Sequence, residues 1–197
     1  MANGACSYVI SVLVADRVGI LKEITTALAA MGADITGISQ TVVQGYFTVI
    51  LVARFEAEQR LDAIRSAISN RFPDSEASVL VREFDPSARK PVAGERYVLT
   101  MSGREQPGIL KTVTSFLAEK GINVEDLYFR IDGERVTHVG EVTVPKPLDI
   151  KQLQDELRAL LEPMGLGGSL QHENIFRVTH EVDAVRAMIK ESSRASD

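Results

Sequence analysis

The chain repeats itself. Setting Gly19 against Gly108, an offset of 108 − 19 = 89, brings its two halves into register without a gap. Tyr8 and Val9 meet Tyr97 and Val98, and Gly19, Ile20, Leu21 and Lys22 meet Gly108, Ile109, Leu110 and Lys111. Thr25, Leu28, Ala29 and Gly32 then meet Thr114, Leu117, Ala118 and Gly121. Two copies of one supersecondary unit therefore fill most of the 197 residues and leave little room for a separate catalytic domain. Each copy, at about ninety residues, is small for a domain and gains from packing against a partner.

Within the first copy, Tyr8 to Val14 is rich in β-branched residues and predicts a strand. After the break at Asp16-Arg17-Val18-Gly19, the apolar residues Ile20, Leu21, Ile24, Leu28 and Met31 recur at helical spacing, and Gly32 closes the helix. A strand from about Asp34 to Val43 and another from Tyr46 to Phe55 flank the tight turn Gln44-Gly45. Leu61, Ile64, Ile68 and Phe72 stripe a second helix, stopped by Pro73-Asp74, and Ser78 to Phe84 is the last strand. The second copy repeats this order: a strand over Arg96 to Gly103, a helix striped by Ile109, Leu110, Val113, Phe116 and Leu117, and a hairpin at Asp132-Gly133. Leu153, Leu157, Leu160 and Leu161 mark its second helix, the segment Pro163 to Gly168 a loop, and Ser169 to Thr179 its final strand. The order βαββαβ, twice, predicts an α+β protein of two ferredoxin-like sandwiches with antiparallel sheets. The expected domains are residues 7–85 and 95–182, joined by a proline-containing linker over 86–94 and followed by a tail over 183–197, with Met188 and Ile189 in a short helix and a disordered end.

Composition narrows the class. A net charge of −5 argues against a general nucleic-acid or anionic-membrane binder. The single cysteine, Cys6, rules out an internal disulfide and fits a reducing compartment. The N-terminus lacks a charged start with an apolar run, and the stretch around Phe47 to Phe55 is too short for a membrane span. The expectation is a cytoplasmic protein with no membrane or direct nucleic-acid partner.

The strand-to-helix corner carries the chemistry. Asp16-Arg17-Val18-Gly19-Ile20-Leu21 and Glu105-Gln106-Pro107-Gly108-Ile109-Leu110 occupy it in the two copies. Free N–H groups in the first turn of a helix carry partial positive charge, and a glycine lets an anion approach the backbone. Asp16 or Glu105 can meet an ammonium group, and Asp34 and Asn123, again 89 apart, offer oxygens at the start of the next strand. Together these are complementary to an α-amino acid zwitterion. The same residues also have a purely structural reading: glycine for backbone freedom, acidic residues to stabilise a helix start, Asp34 and Asn123 as turn formers.

A strand, then Asp-Arg-Val-Gly-Ile-Leu, a helix ending in glycine, and Ala-Asp-Ile or Ile-Asn-Val resembles the ACT domain. The two-module layout resembles the glycine cleavage system transcriptional repressor family and related tandem proteins. The resemblance implies non-enzymatic regulatory modules that bind amino acids where modules pair, using the corner of one and the second-strand start of another. Carried over, it points to Asp16, Arg17, Val18, Gly19, Ile20, Leu21, Asp34 and Ile35 in the first copy. In the second it points to Glu105, Gln106, Pro107, Gly108, Ile109, Leu110, Asn123 and Val124. Val18 stands where proline is usual and Gln106 where arginine is common, which leaves open whether both corners bind or one. The resemblance further implies a protein partner, transcriptional regulation of amino-acid metabolism and a homo-oligomer such as a dimer, with no cofactor.

Other chemistries of this topology leave signatures that are missing. A metal chaperone needs Cys-x-x-Cys at the first corner, and His138, His172 and His180 have no metal spacing and read as isolated strand or surface histidines. Tyr46-Phe47 resembles a base-stacking strand only faintly, without a basic neighbour and without a counterpart in the second copy. Gly165-Leu166-Gly167-Gly168 lacks the Lys-Ser/Thr of a phosphate loop. Arg82, Arg89 and Lys90 are too few for a nucleic-acid patch. Two alternatives to the amino-acid sensor stay open: a ligand-free pairing module, and an acylphosphatase-like enzyme using Arg17.

Overall fold

The computed structural model describes residues 5–73, 76–88 and 93–176. The chain divides into two compact units at residues 89 and 90. The first contains β1 (Cys6–Ala15), α1 (Ile20–Ala30), β2 (Asp34–Val43), β3 (Tyr46–Phe55), α2 (Leu61–Ser69) and β4 (Ser78–Glu83). The second contains β5 (Gly94–Arg104), α3 (Ile109–Glu119), β6 (Asn123–Asp132), β7 (Arg135–Pro145), α4 (Ile150–Leu161) and β8 (Gly167–His172).

Each unit is a four-stranded antiparallel sheet, in the order β2-β3-β1-β4 and β6-β7-β5-β8. Alternation along the strands puts one face of each sheet against its own helices. In the first unit Tyr8, Ile10, Val12 and Val14 join Phe47, Val49, Leu51, Ala53 and Phe55 against Ile20, Ile24, Leu28, Ile64 and Ile68. In the second, Tyr97, Leu99 and Met101 join Val136, Val142 and Val144 against Ile109, Val113, Leu117, Leu153, Leu157 and Leu161. These are two ferredoxin-like α+β sandwiches, as the repeat requires. Even a bulge is duplicated, between Ile35 and Gly37 in β2 and between Val124 and Asp126 in β6.

Several details differ from the sequence expectation. Leu21 and Leu110, counted in the helix stripes, are 38% and 39% exposed, because they sit at the rim of the apolar face. Helix α2 stops at Ser69, and Phe72 is buried from the turn beyond it. The glycines Gly167 and Gly168, expected in a loop, open β8, where they pair with Ser102 and Met101. That strand ends at His172 and residues 173–176 are helical, so the expected run to Thr179 is shorter; residues 177–179 lie outside the described residues, as does the tail over 183–197. Gly94, at the end of the expected linker, already pairs with Pro145 in β5.

Candidate functional site

The two corners are built alike. The strand before each helix ends by tying itself to the neighbouring hairpin: the Asp16 amide donates to the Gly45 carbonyl at 2.8 Å and the Glu105 amide to Glu134 at 2.9 Å. The chain then turns through Gly19 (φ 97°, ψ −5°) and Gly108 (φ 96°, ψ −5°), both left-handed. The first helical bonds run from the Glu23 amide to Gly19 and from the Thr112 amide to Gly108, each 3.0 Å. Neither glycine supplies a side-chain cap, and no other side chain caps either helix start. Helix α4 is different: Asp149 accepts from the amides of Lys151 and Gln152.

A charge sharpens this. Lys22 and Lys111 lie in the first turns of α1 and α3, where the helix dipole favours acidic side chains instead. Both copies thus place a cation at the helix start, accompanied in α1 by Glu23 and in α3 by no acidic side chain in the first turn. In the second unit this helix start borders a concavity of about 310 Å³ lined by Glu105 to Lys111 with Phe129 and His138. That volume suits a ligand of amino-acid size.

The second residue of each corner, Arg17 or Gln106, faces its own unit. The Arg17 guanidinium lies over the Phe72 ring, 5.6 Å from its centroid. Its counterpart Gln106 donates from Nε2 to the Met164 carbonyl. Different chemistries thus pin the corner to the segment after the second helix. Val18 is fully exposed, and Pro107 at the same position is exposed as well.

The strand-start residues lie elsewhere. Asp34 pairs with Arg54 across β2 and β3, whereas the corner abuts the opposite end of β3 at Gly45. Eight strand residues, roughly 26 Å, separate the two ends. The Asp34 carboxylate accepts from Arg54 at 2.7 Å, and Asn123 donates to Glu125 at 2.8 Å. Ile35 and Val124 pack against the cores. Within one unit, then, the corner and strand-start residues are not brought together, and a ligand touching both sets needs a second module.

One residue was missed. His138 is no surface histidine: it is 3% exposed, on the helix-facing side of β7, with its ring tilted 32° against Phe129 at 5.9 Å. Its Nδ1 has no hydrogen-bond partner among the described residues. Burial holds the imidazole below the ordinary histidine range, opposed by the nearby Glu105 carboxylate. The repeat itself carried the signal, because the 89-residue offset puts Val49 under His138 and Gln40 under Phe129. Among the described residues no His, Cys, Asp and Glu cluster stands ready for a metal, and no helix is long and apolar enough to cross a membrane.

Comparison with known proteins agrees with this architecture. The sequence pattern of the ACT domain matches the chain twice, at residues 8–69 and 97–162. A UPF0237 protein of Methanopyrus kandleri is 31% identical over 88 residues, 44% of this chain and 98% of that protein. Another, from Methanococcus maripaludis, is 33% identical over 89 residues, 45% of this chain and 99% of its own length. Among solved structures, an unknown protein from Galdieria sulphuraria superimposes with a TM-score of 0.72 at 25% identity, covering 85% of this chain and 98% of that one. A candidate glycine cleavage system transcriptional repressor gives a TM-score of 0.64 at 17% identity, covering 85% and 96%, a likeness of fold alone.

Proposed function

The chain belongs to the ACT domain family, matched in both of its units, and on that premise we propose that it is a regulatory protein sensing a small zwitterion, an α-amino acid. The observation that carries this reading is the duplicated helix start: left-handed glycine, uncapped first-turn amides and a first-turn lysine, in both units. The ligand carboxylate would sit on those amides, with its ammonium group toward Asp16 or Glu105. Asp34, Ile35, Asn123 and Val124 would complete the site from a paired module. Binding that favours one pairing of modules would change the affinity for a protein partner, since a ligand shifts an equilibrium only by its differential affinity. The resemblance in fold to a candidate glycine cleavage repressor supports a role in controlling amino-acid metabolism, exerted through a partner protein in the cytoplasm.

A panel of amino acids in a thermal-shift assay tests the reading. A true effector at a hundredfold excess over Kd stabilises the protein by about 2.7 kcal/mol. Lys22→Glu and Lys111→Glu separate binding from folding. An acidic residue in the first turn stabilises a helix by roughly 0.3–1 kcal/mol but repels a carboxylate. The double variant is expected to stay folded and lose the ligand shift; a wild-type response from it contradicts the proposal.

A pairing role has its own support. Ile50 and Leu80 flank Ser11 on the outer face of the first sheet, with Leu13 beside them, and these three apolar side chains are 46–54% exposed. A self-associating protein would expose such a patch before assembly. Light scattering of Ile50→Lys and Leu80→Lys reads this out: smaller particles support pairing through this face, and unchanged size rejects it.

A further inference from the structure

The two corners are alike in backbone but not in their walls, and the buried difference is at His138. Where the first unit has Val49, buried at 1% exposure, the second has His138. The repeat shows that the fold does not need an imidazole there. Burying one with an unpartnered Nδ1 costs stability that valine would not. A buried polar group without a partner in a native fold calls for an explanation. Here the residue lines the cavity at the second unit's corner together with Glu105 and Lys111.

We propose that His138 is a ligand-binding, specificity-determining residue of the second unit, hydrogen-bonding the side chain of an amino acid whose carboxylate lies on the start of α3. This rests on the sensor reading and adds the ligand class: an α-amino acid with a hydroxyl or amide side chain. The three groups around the cavity divide the work. The first-turn amides and Lys111 face the carboxylate, Glu105 the ammonium, and the imidazole the remaining polar group. A neutral imidazole has one donor and one acceptor nitrogen, so it serves hydroxyl and amide alike. Exchange between the two neutral tautomers lets a single ring nitrogen either donate to or accept from the ligand. Phe129, tilted against the imidazole and itself 54% exposed, lines the wall beside it. The corner of the first unit, with Val49 and Gln40 at these positions, has no such selector on its buried face.

Isosteric pairs make the test. Calorimetric titration of the full chain with threonine against valine, serine against alanine, and asparagine or glutamine against leucine compares ligands of similar size. A site built to bond a hydroxyl or amide is expected to prefer at least one polar member by about tenfold or more, whereas an apolar wall discriminates little. His138→Val, which copies the first unit, is expected to remove that preference for the polar member. His138→Gln, which keeps a donor and an acceptor, is expected to retain part of it. The ring-nitrogen chemical shifts of His138 in the wild type supply a readout independent of any variant: they should move with the preferred ligand and not with its aliphatic partner. Equal binding of polar and aliphatic members with unmoved His138 shifts overturns this inference and leaves the sensor reading standing. No binding of any amino acid overturns both.

Discussion

At the residue scale the corner glycines decide most. An added Cβ at Gly19 or Gly108 would meet nothing within 4 Å, so substitution there is opposed by backbone conformation alone and not by crowding. Left-handed backbone costs an L-residue about 1–2 kcal/mol. Gly108→Ala should therefore lower stability by about that much in urea titration, and Gly108→Asn by less, because asparagine tolerates this conformation better. Equal losses for the two would contradict the backbone account. His138 gives a second prediction, in pH. Its folded pKa is lowered by burial, with the Glu105 carboxylate pulling the other way and Lys111 in the same wall. Below the unperturbed value of 6.5 the unfolded chain then binds the proton more readily than the folded one. Stability is full above that value and falls as pH drops through the folded pKa. His138→Val should abolish this loss while leaving any acid effect of Glu156, which is held low by Lys120, at lower pH. The chain has no tryptophan, so far-ultraviolet circular dichroism is the probe. The glycines were legible in the sequence because their spacing repeats. His138 was not, because one histidine in an alternating strand looks the same whether it points in or out until Val49 is set beneath it.

At the element scale the two copies share their geometry but not their fastenings. Tyr8 is buried and its hydroxyl exchanges hydrogen bonds with the Gln59 carbonyl and amide, at 3.0 and 2.8 Å. Its counterpart Tyr97 instead packs edge-on to His172. The hairpins diverge too: Gln44 and Gly45 both take positive φ, whereas the second turn uses Gly133 first and Glu134 second. Sequence reasoning placed that turn at Asp132-Gly133, one residue early, because glycine can occupy either central position of a two-residue turn. Strand β8 was read as starting two residues late, since glycines suggest a loop; here they give the strand a close approach to β5. Helix α4, unlike α1, α2 and α3, has a side-chain cap. Asp149 accepts from the Lys151 amide at 2.8 Å and the Gln152 amide at 3.2 Å. Asp149→Ala should cost about 1 kcal/mol in the urea midpoint, and Asp149→Ser much less. An alanine variant as stable as the wild type would show the cap to be redundant.

At the scale of the whole molecule, duplication made the architecture readable and concealed the division of labour. One offset of 89 residues was enough to give the element order, the sheet type and both cores, since each follows from periodicity that the copies confirm for each other. The distance between corner and strand start within a unit was not readable, because it depends on which end of the sheet each segment reaches. Nor were the inward contacts of Arg17 and Gln106, made to residues 55 and 58 positions later, visible in spacing. The central proposal is that a small zwitterion binds at the amides of these two helix starts. Amide NMR of the full chain during titration with the amino-acid panel measures that directly. At least one amino acid should shift the amides of Ile109 to Lys111, Ile20 to Lys22, or both, saturably and ahead of the rest of the spectrum. Amides at both corners that stay fixed for every amino acid in the panel, up to millimolar concentration, would contradict it.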